Sequence, residues 1–221
     1  MDARRPDELR LERRAQRGDG RPGPPVLVWR FPGPVRALAT TVLGGGLGER
    51  CWAINAEVPL EYHHDDPGAH AAALAAEQGL DPGVGIGFLT AARVLDVASH
   101  VDGGARCDAT VGMTMPTWAA AADGATSAWG PGTINLVCWV PAPLGDAALA
   151  NALTTATEAK VQALVEAGVP GTGTASDAVA VCCPIGGGEP YGGPRSRWGA
   201  RLARAVHGAV AAGLAPATVR P

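Results

Sequence analysis

Thr133-Ile134-Asn135-Leu136-Val137-Cys138-Trp139-Val140 is apolar almost throughout, and an unbroken apolar run of this length reads as a strand buried on both faces of a sheet. The residues C-terminal to this run decide how that sheet is built. Asp146 reads as the cap of a long helix that ends before Gly168, a loop spans 171–178, and Val179-Ala180-Val181-Cys182 reads as a second buried strand. On the N-terminal side, expected strands at 94–101 and 106–113 are joined by Asp102-Gly103-Gly104, a hairpin signal. Hairpins beside a strand–helix–strand unit favour an α+β fold, a mixed sheet covered by helices in one domain, over the alternative of a fully parallel α/β sheet.

Further out, Val26-Leu27-Val28-Trp29 and 35–42 read as short strands broken by Pro32-Gly33-Pro34, with a turn at Gly44-Gly45-Gly46. A strand is expected at 52–58 and another at 84–89. Between them Asp66-Pro67 opens an Ala-rich helix that ends at Gly79, since Asp caps well and Pro at the first helical position leaves no N–H unsatisfied. A last helix over 194–212 carries Trp198, Leu202, Ala205, Ala209 and Val210 on one face. Residues 1–25 alternate Arg with Asp and Glu and hold few apolar side chains, so they read as a disordered leader ahead of a single domain over 26–221.

With 47% hydrophobic residues, 18% charged and a formal charge of −3, the chain has no basic excess for a phosphate backbone, and nucleic acid is not an expected partner. The five cysteines form no Cys-x-x-Cys pair, which points away from a disulfide framework and towards a reducing cytoplasm. No apolar run near the N-terminus suits a signal peptide or a membrane span. Gly83-x-Gly85-x-Gly87 lacks dinucleotide-fingerprint spacing, and no Gly-Lys-Ser/Thr phosphate loop occurs.

The densest chemistry lies in Gly171-Thr172-Gly173-Thr174-Ala175-Ser176-Asp177-Ala178. Glycine N–H groups approach a ligand closely, and hydroxyls donate to a developing oxyanion or act as nucleophiles beside a base. A tight turn whose hydroxyls bond their own backbone is the simpler alternative. Lys160 falls inside the apolar stripe of the preceding helix, with Leu149, Leu153, Ala156 and Leu164. It therefore requires an anionic partner or a pocket border, unless it snorkels past the core edge. Glu158 points to the opposite side. His63, His64, Asp65, Asp66 and His70 offer metal-ligand chemistry, but a solvated turn with a helix cap accounts for them better. Arg197, Arg201 and Arg204 form a basic stripe that reads as a solvated face, and the six tryptophans offer flat apolar surface to a core or a planar ligand.

Pro131-Gly132-Thr133-Ile134-Asn135, Thr155-Ala156-Thr157-Glu158-Ala159-Lys160 and the Gly171 to Ala178 loop, in that order, resemble the adenosylcobinamide amidohydrolases. The likeness extends back through Gly45-Gly46-Leu47, Asn55-Ala56-Glu57-Val58, Asp66-Pro67 and Asp108-Ala109-Thr110-Val111-Gly112. It implies hydrolysis of the aminopropanol amide of adenosylcobinamide to adenosylcobyric acid, which re-enters cobalamin synthesis. A non-catalytic corrinoid-binding or carrier protein is the runner-up. No cofactor is implied, because the corrinoid is the substrate, and the metal requirement and a homo-oligomeric state stay open. The resemblance carries no established catalytic residues. On chemical grounds Asp177 is the expected general base, Glu158 its alternative, Lys160 an electrostatic stabiliser and Thr174 a donor. Asn135, Thr172, Gly171, Gly173 and Ser176 are expected to bind substrate.

Overall fold

The computed structural model describes residues 9–16, 19–123 and 132–214; residues 1–8 and 17–18 of the expected leader, and Trp129, lie outside these. In chain order they form β1 (Arg10–Gln16), β2 (Pro22–Ala39), β3 (Gly46–Glu57), α1 (Pro67–Glu77), β4 (Gly85–Thr90), β5 (Ala98–Asp102), β6 (Ala105–Gly112), β7 (Thr133–Trp139), α2 (Asp146–Glu166), β8 (Ala178–Pro184) and α3 (Arg197–Leu214). The strands make one open mixed sheet in the order β4-β3-β2-β8-β7-β6-β5, with β1 added beside β2. Its parallel pairs are β3 with β4 and β7 with β8, each linked through a helix, and the remaining pairs are antiparallel. This is the expected α+β architecture.

Both faces of the sheet are buried in its middle. Ile134, Leu136 and Cys138 of β7 pack beneath α2 and α3 with Leu149, Leu164, Leu202 and Val206, while Val137 of the same strand faces a second cluster around Leu27, Trp29 and Phe88. Burial on both sides explains why β7 reads as a continuous apolar run rather than an alternating one. Helix α1 covers a third cluster containing Val28, Trp52 and Ile54. Its Asp66 side chain accepts a hydrogen bond from Ala69 N, with Pro67 at the first helical position, as expected of that cap.

Four expectations change. Residues 10–16 are not a disordered leader: β1 pairs antiparallel with β2, Arg10 opposite Arg30 and Arg14 opposite Val26. Leu9 and Leu11 pack into the core, and Glu12 neutralises Arg14 and Arg30. An edge strand draws much of its hold from the backbone ladder, which apolar content does not register. Second, Pro32-Gly33-Pro34 bends one strand rather than separating two; the register of β2 on β3 shifts between Arg30 and Val35, where the prolines supply no N–H. Third, Val94–Asp96 form a 3₁₀ turn before β5, held by Val94 N donating to Glu57 Oε2. Finally, Gly145 caps α2, and Asp146 is its first residue, paired with Arg36 at 3.0 Å. Among the described residues no helix is long and apolar enough to cross a membrane.

Candidate functional site

The loop from α2 to β8 is organised around one carboxylate. Asp177 Oδ1 accepts from Ile134 N at 2.9 Å and lies 2.5 Å from the Thr174 hydroxyl, whose single proton it shares with Gly132 O at 2.7 Å. Its Oδ2 accepts from Lys160 Nζ at 2.5 Å and Thr174 N at 3.2 Å. Lys160 is thus the partnered cation that its place in the apolar stripe demanded, with its side chain only 7% exposed and that of Asp177 10%. A carboxylate has about four acceptor positions, and three N–H donors with the shared Thr174 hydroxyl surround this one. Gly173 lets the pair close over the loop, because a Cβ there would lie 2.2 Å from Asp177 Oδ2 and 2.6 Å from Lys160 Nζ. The clamp fastens the loop to the N-terminal end of β7. Ser176 Oγ reinforces the seam, 3.0 Å from Gly132 O and 2.9 Å from Thr133 Oγ1.

Beside this seam lies a pocket of about 450 Å³, whose lining includes Ser176, Asp177, Thr133 and Asn135 together with Tyr62 and Thr90. Asn135 is 2% exposed. Its Nδ2 donates to Asn55 Oδ1 at 3.1 Å and to Leu89 O at 3.2 Å, and Asn55 Nδ2 donates to Thr110 Oγ1 at 2.8 Å. This chain fixes the amide orientation, because a flipped Asn135 would set its oxygen against the Leu89 carbonyl. The remaining atom, Asn135 Oδ1, is buried and has no hydrogen-bond partner among the described residues. An orphaned buried acceptor costs about 1–3 kcal/mol, and this one belongs to a residue that lines the pocket.

Tyr62 also lines the pocket; its hydroxyl lies 2.9 Å from His70 Nδ1, and the His70 ring stacks on Tyr62 and on His64, at 5.5 and 4.9 Å between centroids. Burial and then the neighbouring His64 hold His70 below the usual histidine range, against the pull of Glu77. Burial and then Asp66 push the Tyr62 phenol up. Among the described residues no three His, Cys, Asp or Glu side chains are grouped to hold a metal. Burial also pushes up the thiols of Cys107, Cys182 and Cys183, which keeps them protonated and poor nucleophiles.

The structure therefore joins Lys160, Asp177, Thr174 and Gly173 in one clamp and places Asn135, Ser176 and Asp177 on the pocket wall. It does not bring the others there. Glu158 is exposed on α2. Thr172 Oγ1 accepts from Ala119 N, and Gly171 packs on Thr117. The arginine stripe is spent within the fold: Arg204 grips Asp102, Arg201 donates to Gly103 O, and Arg197 and Arg201 lie over Trp198. Asn55, Thr110, Tyr62 and Thr133 do not stand out in the sequence as site residues. For Asn55 and Thr110 a signal exists, a polar side chain inside an otherwise buried strand. Both also lie in segments that carry the family likeness.

The model of the adenosylcobinamide amidohydrolase family matches residues 9–220, which takes in β1. An adenosylcobinamide amidohydrolase of Methanosarcina mazei is 29% identical over 185 residues, covering 79% of this chain and 88% of its own length. A Halobacterium salinarum protein of the same name is 46% identical over 86 residues, 38% of this chain and 36% of its own. The chain thus spans about a third of the Halobacterium protein and most of the Methanosarcina one. An uncharacterised protein of Methanocaldococcus jannaschii is 35% identical over 83 residues, 34% of this chain and 32% of that protein. With a match that runs across all three helices and every strand of the sheet, the protein belongs to the adenosylcobinamide amidohydrolase family.

Proposed function

We propose that the chain hydrolyses the aminopropanol amide of adenosylcobinamide, giving adenosylcobyric acid for cobalamin salvage in the cytoplasm, and that the pocket beside Asn135 receives the amide-bearing arm. The observation that carries this reading is the convergence of separate family-like segments on one pocket. Asn55, Thr110 and Asn135 share a hydrogen-bonded chain, and Ser176 and Asp177 line the same cavity. An amide arm carries an N–H and a hydroxyl, donors of the kind that Asn135 Oδ1 lacks among the described residues. Ser176 gives its proton to Gly132 O, which leaves the Thr133 hydroxyl as the donor for the oxygen on which charge develops as water adds to the carbonyl.

Size supports an arm rather than a whole ligand. Cavities on the order of 300–1,000 Å³ hold drug-sized molecules, and a corrin with its ring of amide arms and an adenosyl group exceeds 450 Å³. The macrocycle then rests at the mouth, where Val42 and Leu60 line the pocket and are 55% and 53% exposed. Clamped by four donors, Asp177 serves as the organiser of the loop rather than as the base. That same engagement favours the second reading, a corrinoid-holding protein without turnover. Incubation with adenosylcobinamide separates the two: a hydrolase yields cobyric acid and free aminopropanol, whereas a carrier returns the corrinoid unchanged.

A further inference from the structure

We infer that Tyr62 and His70 are the proton-transfer pair of this pocket, with Tyr62 touching the reacting atoms and His70 standing behind it as the proton store. The inference rests on the hydrolytic function proposed for the pocket. Amide hydrolysis needs a group that takes a proton from water and a group that returns one to the leaving amine. Among the described lining residues the titratable ones are Tyr62 and Asp177, and Asp177 is already tied to the Lys160 cation and to two backbone N–H groups. Tyr62 remains, and its hydroxyl is bonded to the ring nitrogen of a histidine that does not itself line the pocket.

The charges around the pair suit the role. Burial and then His64 disfavour a cationic His70 while Glu77 opposes them, so near neutral pH the ring is neutral, and with its proton on Nε2 the Nδ1 atom accepts. Burial and then Asp66 keep the proton on Tyr62, and in that tautomer the phenol donates to Nδ1. In the forward step the Tyr62 oxygen takes a proton from water as its own proton passes to His70 Nδ1, and the water oxygen bonds to the amide carbon. The C–N bond then breaks, and the stored proton returns through Tyr62 to the amine nitrogen. One water is consumed, an acid and an amine leave, and nothing is oxidised or reduced.

Tyr62→Phe keeps the stacked ring and deletes the hydroxyl; His70→Asn keeps an acceptor beside Tyr62 that cannot hold a proton. Each is assayed in the full chain for cobinamide turnover against pH, for corrinoid binding by absorbance titration, and for thermal unfolding. We expect kcat to fall about 10²–10⁴-fold in both variants with binding nearly unchanged. In wild type turnover falls on the acid side as His70 takes up a proton, and His70→Asn lacks that limb. Tyr62→Phe turning over within about threefold of wild type, with the acid limb intact, overturns the inference. So does loss of binding and stability in proportion to turnover, which marks the pair as a helix brace. Failure of wild type itself to cleave cobinamide defeats the hydrolytic reading instead, so the two failures are distinguishable.

Discussion

Lys160→Met is the most direct probe of the clamp. The methionine refills the space of the lysine stem but leaves Asp177 without its cation, in a place where both side chains are about nine-tenths buried. Removing one member of a buried ion pair costs about 3–5 kcal/mol. Here Asp177 keeps three other donors, Ile134 N, Thr174 N and the Thr174 hydroxyl, and borders the pocket, which lowers the expected loss to about 2–4 kcal/mol. For a domain of this size each kcal/mol moves Tm by about 2–4 °C, so the melt should fall by roughly 4–16 °C. Asp177→Asn should cost a comparable amount, since its amide nitrogen would face the Lys160 and Thr174 N donors. The double variant should then be less destabilised than the sum of the singles by about 1–3 kcal/mol. Urea unfolding of the four proteins measures this cycle. A single-variant loss below about 1 kcal/mol, or strict additivity, would refute the clamp as the organiser of the loop.

Deleting residues 1–25 removes β1 with Leu9 and Leu11 and should cost at least about 3 kcal/mol in urea unfolding; an unchanged midpoint would return the segment to the status of a leader. Gly173→Ala should lower both stability and turnover, because its Cβ would displace the Lys160–Asp177 pair, and a thermal melt beside the turnover assay reads both. Turnover should persist after exhaustive treatment with EDTA; loss with EDTA and recovery with zinc would show that the cap reading of His64 and His70 missed a site. The folded pKa of His70 lies below its unfolded value near 6.5. The unfolded chain therefore binds the proton first, so stability falls as pH drops below about 6.5 and levels off once the folded ring is protonated. Unfolding free energies of His70→Asn across that range should lack this component.

The sequence is most legible where burial writes it plainly. β7 and β8 are continuous apolar runs, Asp66-Pro67 is a helix start, and Gly168 sits at φ +72 just past α2, a backbone conformation that favours glycine. It is least legible where contacts far apart in the chain decide the outcome. Nothing local tells Arg10–Gln16 that Val26 to Arg30 waits with open backbone groups, and Pro32-Gly33-Pro34 looks the same whether it ends a strand or bends one. For the site, the misplaced lysine and the Gly/Thr loop point to each other correctly. On contact they form one ion pair, which sets Asp177 among several donors that no local spacing announces. The Asn55–Thr110–Asn135 chain joins β3, β6 and β7, and only the fold makes them neighbours. Tyr62 and His70 lie in a segment legible only for its cap, and no spacing rule links that segment to a loop more than a hundred residues later.

That this pocket cleaves an amide on a corrinoid is tested most directly by incubating the purified chain with adenosylcobinamide and following the mixture by mass spectrometry, with Tyr62→Phe alongside. The predicted result is conversion to adenosylcobyric acid with one aminopropanol released per corrinoid, and a large loss of rate in the variant. Recovery of bound but intact adenosylcobinamide from the wild-type protein would contradict it and leave a carrier in its place.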